Sequence, residues 1–511
     1  MLGITNTLVL TGIDAVPVKV EVDIQNGLPA FDIVGLASVS IKEARERVRS
    51  AVKNSGFKFP GTRITVNLAP ADLKKEGSHF DLAIALGILL ASEQVETRMN
   101  LSHFYLAGEL SLDGSVRGVP GILPMVLELA DHKTEPVFIL PADNKNEAAL
   151  VNEVSSYQLD HLSQLCSFVQ GDTPLTVIEY LDKTEGEEKS FVPDFAEVKG
   201  QESAKKALQI AAAGMHNILL IGPPGGGKTM LARRLPGILP EMNREEVLQT
   251  TQIYSVAGLL SGSRPLVQER PFRTPHKNAS SASIIGGGRI PHPGEISLAQ
   301  NGVLFLDELP EFNRDVLEAL RQPLEDKVVT IARASATCSY PADFCMVASM
   351  NPCPCGNYGS DLECRCTPLQ IQRYLNRISG PLLDRMDLHV EVPRVNYDQL
   401  RDRSTGESSS TIRERVTTAR QIQEKRFSRY KISLNSQMRP SDIKKFCQLN
   451  EESEALLKTA FNRLKMSARA YDRILKVART IADLDQVQDI RTEDLAESLQ
   501  YRSLDRKYWN G

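Results

Sequence analysis

Four residues near the middle of the chain, Gly222, Gly227, Lys228 and Thr229, stand at the spacing G-x-x-x-x-G-K-[ST] inside NILLIGPPGGGKTML (217–231). An apolar run precedes the glycines and a helical pattern follows, so a buried strand enters a tight loop and leaves it at a helix N-terminus. Along Gly222, Pro223, Pro224, Gly225, Gly226, Gly227, Lys228, Thr229 and Met230, backbone N–H groups can turn inward around phosphate oxygens, and the helix adds the positive end of its dipole. Lys228 then suits the β- and γ-phosphates of ATP, and Thr229 suits the Mg²⁺ that accompanies them. Further on, GVLFLDELPEF (302–312) is a second apolar run, ending in Asp307 and Glu308. A strand delivering Asp307 to the sheet edge places it at the Mg²⁺ (Walker B), and leaves Glu308 to polarise an attacking water. The two segments together predict a nucleoside triphosphatase.

Such groups need a parallel sheet to hold them, and the residues from 196 to 400 alternate short apolar strands with helices in that manner. A third strand, FCMVASMN (344–351), ends in Asn351, whose amide can hold the lytic water or sense the γ-phosphate. In GPLLDRMDLHVEV (380–392), Arg385 stands beside Asp384 and near Asp387 and can pair with either at the surface. Two composition shifts bound this core. DKTEGEEKSFVPDF (182–195) is acidic and interrupted by breakers, and RDRSTGESSSTI (401–412) is rich in Ser, Thr and Gly. The division predicted is 1–183 as an α+β domain, 184–195 as linker, 196–400 as the nucleotide core, 401–412 as hinge loop and 413–511 as a helical lid.

A chain of 511 residues exceeds one ordinary core, and 41% hydrophobic with 24% charged residues is a globular composition. No run reaches the ~18–20 apolar residues that span a bilayer, and MLGITNTLVL lacks the basic start and small-residue cleavage site of a secretion signal. A cytoplasmic location with reduced thiols and no membrane partner is therefore expected. Net charge of −4 leaves nucleic-acid binding to local patches.

FAEVKGQESAKKAL, GEISLAQNGVLFLDELPEF, NPCPCG and QRYLNRISGPLLDRMDLHVEVP resemble the YifB/ComM family of magnesium-chelatase-like AAA+ proteins, and the likeness runs through essentially the whole chain. The resemblance implies a multidomain α/β protein: a Lon-protease-like N-terminal domain, an AAA+ αβα P-loop core and a C-terminal helical lid like that of magnesium chelatase. It implies a homo-hexameric ATPase, and for ComM-type members DNA branch migration in recombination and natural transformation, with recombination proteins as further partners. It makes Asn351 the sensor 1 residue, Arg385 the arginine finger, and Arg469 the sensor 2 arginine, with Arg473 as the alternative one turn on. KKEGSHFDLAIALGILLA (74–91) and GELSLDGSVRGVPGILP (108–124) resemble the Lon nucleophile turn and lysine segment, but His79 holds the nucleophile position, Ser78 is one place off, and Leu123 holds the lysine position. Proteolysis is therefore not expected, because a serine without a positioned base is inert. Two other functions stay open: a chelatase-like motor inserting Mg²⁺ into a porphyrin, against which the Lon-like front domain speaks, and an ATP-dependent protein remodeller or protease.

NPCPCGNYGSDLECRCTP (351–368) holds Cys353, Cys355, Cys364 and Cys366, with Gly356 and Gly359 to turn the segment. A Cys₄ Zn²⁺ site, free reduced thiols and a redox device are its three readings. Cys166, Cys338, Cys345 and Cys447 read as small core residues. DNA contacts are expected from the insertion 260–293, where Arg264, Arg270, Arg273, Lys277 and Arg289 face a single acid, Glu269, and where His276 also lies. A strand-turn-strand over 326–344 carries Arg333 as a further channel cation. Such groups would grip phosphates without reading bases, on single-stranded or branched DNA; a solvated basic loop is the plainer reading of each.

Overall fold

The computed structural model describes residues 2–132, 135–181, 192–260, 266–288, 291–333, 336–397, 401, 406–464 and 466–509. The front of the chain forms an eight-stranded mixed sheet with spatial order Thr176–Val177, Ser155–Leu159, Val137–Pro141, Phe104–Leu106, Leu2–Thr11, Asp14–Gln25, Arg63–Ala69, Ala30–Val34. Adjacent residues in its strands divide between two cores. Val9 and Ile139 pack with the helices Val39–Asn54 and Asp81–Ala91, while Leu8 and Phe138 pack with the helix Ile122–Ala130. That alternation is the two-residue period of a sheet covered on both faces.

The nucleotide core is a five-stranded parallel sheet in the order Phe272–Arg273, Val303–Leu306, Cys345–Met350, Ile218–Ile221, Leu388–Glu391. Its three central strands are wholly buried, which explains why they read as unbroken apolar runs. Leu219, Leu304 and Met346 face one core and Ile218, Phe305 and Val347 the other; each such side chain stabilises the sheet by roughly 1.5–3 kcal/mol. The insertion is less loop-like than its prolines and glycines imply. Phe272–Arg273 is the edge strand of the sheet, anchored where the Val303 N–H donates to the Pro271 carbonyl at 2.7 Å, and Ser281–Ile285 is a short helix. The expected hairpin is present as Val328–Arg333 paired antiparallel with Ala336–Pro341.

The hinge reading needs correction. The helix Ser409–Phe427 starts inside 401–412, because the Ser408 hydroxyl accepts from the Thr411 N–H at 3.3 Å and caps it. The run of serines is thus a helix start. Residues 402–405 of that segment and 184–191 of the linker lie outside the described residues. The linker's end is fixed: the Asp194 carboxylate accepts from Ala196 N–H at 2.7 Å and Ser409 N–H at 3.1 Å. Helices Glu451–Leu464, Ala468–Leu484 and Thr492–Gln500 complete the helical domain. The last helix, Ser503–Tyr508, turns back to the nucleotide core, where Leu504 and Tyr508 join its apolar cluster. Among the described residues no helix is long and apolar enough to cross a membrane.

Candidate nucleotide site

The three central strands end side by side, and their last residues and following loops converge. Lys228, nearly buried, donates to the Gly222 carbonyl at 2.7 Å, the Pro223 carbonyl at 3.0 Å and Asn351 Oδ1 at 3.1 Å. Burial lowers its pKa, opposed by the nearby Asp307 and Glu308. Thr229 Oγ1 donates to Asp307 Oδ2 at 2.9 Å, so the two oxygens chosen for Mg²⁺ already lie together. Gly222 has to be glycine: a Cβ there would sit 2.0 Å from the Val392 carbonyl oxygen. Gly225 and Gly227 take φ of +78° and +90°, with Gly226 between them, and the exposed Pro224 stands on the loop's outer side. Met230 lies one position past Thr229 in the helix Lys228–Ala232.

Two contributors were not identified in the sequence. Ser349 donates its hydroxyl to Asp307 Oδ1 and accepts from the Glu308 N–H at 3.3 Å, ordering the acid pair. It stands two residues before Asn351 and so on the same face of the strand, a period that would have revealed it. Gln201, with φ +62°, donates to the Gly226 carbonyl at 3.2 Å and the Pro393 carbonyl at 2.6 Å, tying the loop to the chain beyond the last strand. Glu308 also takes a left-handed backbone, φ +54°, and its carboxylate accepts from Lys277 Nζ at 2.6 Å.

The remaining expected residues are not all gathered here. Arg385 is turned into its own chain: its guanidinium donates to the Arg321 carbonyl at 2.8 Å, the Pro381 carbonyl at 2.8 Å and the Glu325 carboxylate. The surface pairing with Asp384 or Asp387 is therefore replaced by Glu325. Arg469 is exposed on its helix. Arg473 pairs with Asp387 at 2.9 Å, and Asp387 also accepts from His216 Nδ1 at 3.2 Å. Burial would raise the Asp387 pKa, yet Arg473 and His216 hold it well below the usual carboxylate range. Arg273, expected to face DNA, forms a two-pronged pair with Glu295, both contacts 2.7 Å, because its edge strand lies beside that residue's helix. Arg270 is likewise inward, on Glu246. His276 Nδ1 accepts from the Asn278 N–H at 3.2 Å. Arg289 and the side chain of Arg333 lie outside the described residues, as does Arg264.

The four cysteines converge immediately after Asn351. Their sulfurs all lie within 4.8 Å of one another, and Cys353 is buried. Backbone N–H groups of Asn357 and Arg365 draw the Cys355 thiol down to about 6. Cys166, Cys338, Cys345 and Cys447 are buried singly, as small core residues are. In the front domain His79 is packed inside, its Nε2 2.8 Å from the Leu8 carbonyl, and burial pushes the imidazole down to about 4. Leu123 is fully buried. Among the described residues no nucleophile-base pair stands at this turn.

A parallel sheet of this order, with a P-loop on one strand, paired carboxylates on the next but one and a polar terminus between them, defines an AAA+ nucleotide-binding protein with a helical C-terminal domain. Family models described as "Magnesium chelatase, subunit ChlI", "Subunit ChlI of Mg-chelatase" and "Magnesium chelatase, subunit ChlI C-terminal" match residues 194–400, 20–144 and 406–502. The chain is 46% identical over 99% of its length to the uncharacterized protein YifB of Escherichia coli, covering 98% of that protein. It is 47% identical over 97% of its length to competence protein ComM of Haemophilus influenzae, covering 96% of it. The chain belongs to the YifB/ComM family of magnesium-chelatase-like proteins. A shorter likeness, 29% identity over 157 residues, 29% of this chain and 28% of the other, links it to Lon protease 2 of Bacillus subtilis. The front domain thus matches a model bearing the chelatase name, so its presence does not by itself separate this chain from chelatase motors.

Proposed function

We propose that this protein is an ATP-hydrolysing motor that works on DNA as a ring of six copies, in recombination and the uptake of transforming DNA. ATP would be held by the loop Gly222–Met230, with Lys228 on its outer phosphates and Thr229 and Asp307 on Mg²⁺. The ion would neutralise charge on the phosphates. Glu308 would orient the attacking water, Asn351 would hold the γ-phosphate end of the site beside Lys228, Arg385 would act across a subunit boundary once ring assembly frees it from Glu325, and Arg469, or Arg473 one turn on, would be the sensor 2 arginine.

One observation carries the reading beyond nucleotide binding. Lys277, on the basic insertion, touches the carboxylate meant to activate water. A polyanion that attracts Lys277 would therefore act directly on hydrolysis. The competence relative supports DNA as that polyanion. Four thiols within tetrahedral reach add Zn²⁺ to the proposed cofactors. The chelatase-like reading keeps support from the three family descriptions, whereas buried His79 and Leu123 speak against a protease.

ATP hydrolysis by the full chain should rise on adding branched or single-stranded DNA at moderate salt. Lys228→Ala should abolish nucleotide binding, and Glu308→Gln should retain binding while losing hydrolysis by on the order of a hundredfold. An ATPase indifferent to DNA but stimulated by a porphyrin-carrying partner would replace this function with the chelatase one.

A further inference from the structure

The cysteine segment is built against the nucleotide loop. Cys353 and Cys355 Sγ are 3.3 Å apart, Cys353 and Cys364 3.7 Å, and Cys355 and Cys364 3.6 Å. These separations are too long for the ~2.05 Å disulfide bond. Two of them are close to the edge of about 3.8 Å that sulfurs take at ~2.3 Å from one tetrahedral zinc ion, the Cys353–Cys355 separation is shorter, and Cys366 Sγ lies within 4.8 Å of the other three. The Tyr358 N–H donates to Cys353 Sγ at 3.3 Å, so the backbone is wrapped around the sulfurs as well.

Between the first two cysteines and the turn lies Gly356, at φ +82°. A Cβ on it would fall 2.3 Å from Pro224 Cδ, so the backbone of the cysteine segment rests directly on the P-loop. On its other side Tyr358 meets Tyr508 edge to face, with ring centroids 6.3 Å apart. Lys507 of the same terminal helix reaches back to Glu391, at the end of the edge strand, at 2.7 Å. The segment begins at Asn351, which touches Lys228.

We propose that zinc bound by Cys353, Cys355, Cys364 and Cys366 holds the P-loop and Asn351 in their nucleotide-binding form, so that loss of the metal weakens ATP binding. This rests on the zinc reading of the site and not on the DNA reading. A short segment without a core of its own relies on its metal for shape, and here that shape is one wall of the Pro224 turn.

The test uses the full chain purified without chelators, with nucleotide affinity measured by a fluorescent ATP analogue in excess Mg²⁺ and no DNA. Wild type should carry about one zinc per chain, and cobalt replacing it should give the thiolate charge-transfer absorption of a tetrahedral site. Cys355→Ser with Cys364→Ser should lose the metal and weaken nucleotide binding by on the order of tenfold. Gly356→Ala should keep the zinc and still bind nucleotide less tightly, whereas Cys166→Ser should change neither. Should the cysteine variants fail to fold, withdrawing zinc from wild type with a zinc-selective chelator and then restoring it should lower and recover the affinity. Absence of zinc from wild type would overturn the zinc reading and the coupling together. Zinc lost with affinity unchanged, in the variants or on chelation, would overturn the coupling alone.

Discussion

Glu308 accepts from Lys277 across 2.6 Å while its own N–H leans on Ser349. Both side chains of the ion pair are partly exposed, so the pair is weak and responsive to competing charge. Lys277→Ala should therefore raise DNA-independent ATP hydrolysis by a few-fold and shrink the increment that DNA provides. A steady-state assay in which the basal rate falls or stays level would contradict that. At this scale the sequence was most legible where covalent neighbours make the site. Gly222 to Thr229 form one continuous stretch of loop and helix start, and Asp307 and Glu308 follow one apolar strand. Partnerships across the fold were not legible. Glu295 is 22 residues from Arg273, and nothing in composition says that this pair closes on itself. Arg385 had the right neighbours in sequence but finds Glu325, 60 positions earlier, in three dimensions.

The elements were read correctly where period and length agree. Val303–Leu306 and Cys345–Met350 are the strands that their apolar runs predict, and Lys228–Ala232 is the helix expected after the glycines. They were misread where polar residues have two uses: the serines before 412 cap a helix, and the prolines and glycines of the insertion flank an edge strand. The front domain's turn at His79 has a titration signature. His79 stays neutral in the fold down to about pH 4, whereas in the unfolded chain it protonates near pH 6.5. The unfolded state thus binds the extra proton between these values, and stability falls as the medium is acidified from pH 6.5 to 4, then levels off. Between pH 7.5 and 5 this group alone should cost roughly 2 kcal/mol. His79→Gln keeps an N–H for the Leu8 carbonyl and removes the titration. Denaturant unfolding at both pH values should show wild type losing that much more than the variant; equal losses would refute the assignment.

Across the whole molecule, the front domain is joined to the nucleotide core by buried polar contacts. The Ser255 hydroxyl donates to Glu147 Oε2 at 2.5 Å and the Gly121 N–H to the Ser255 carbonyl at 3.1 Å. Burial raises the Glu147 pKa, while Ser255 and Asn144 pull it back. Ser255→Ala should destabilise this junction by about 1–3 kcal/mol, the cost of a buried acceptor losing a partner. Calorimetry should then show the front domain melting ahead of the rest; a single unshifted transition would argue that the junction contributes little. Such docking cannot be seen in a sequence, because each surface reads as an ordinary helix or turn until the other is placed on it.

The turn joining Leu2–Thr11 to Asp14–Gln25 also touches the second domain. Its Ile13 carbonyl accepts from Gln252 at 2.7 Å, and Ile13 packs on the nucleotide core. At Gly12 a methyl group would come within 3.2 Å of the Ser339 carbonyl, on the hairpin Val328–Pro341. The second strand of that hairpin is therefore packed against the front domain. A displacement of the strand Ala336–Pro341 would press on the turn at Gly12 and so be felt by the front sheet.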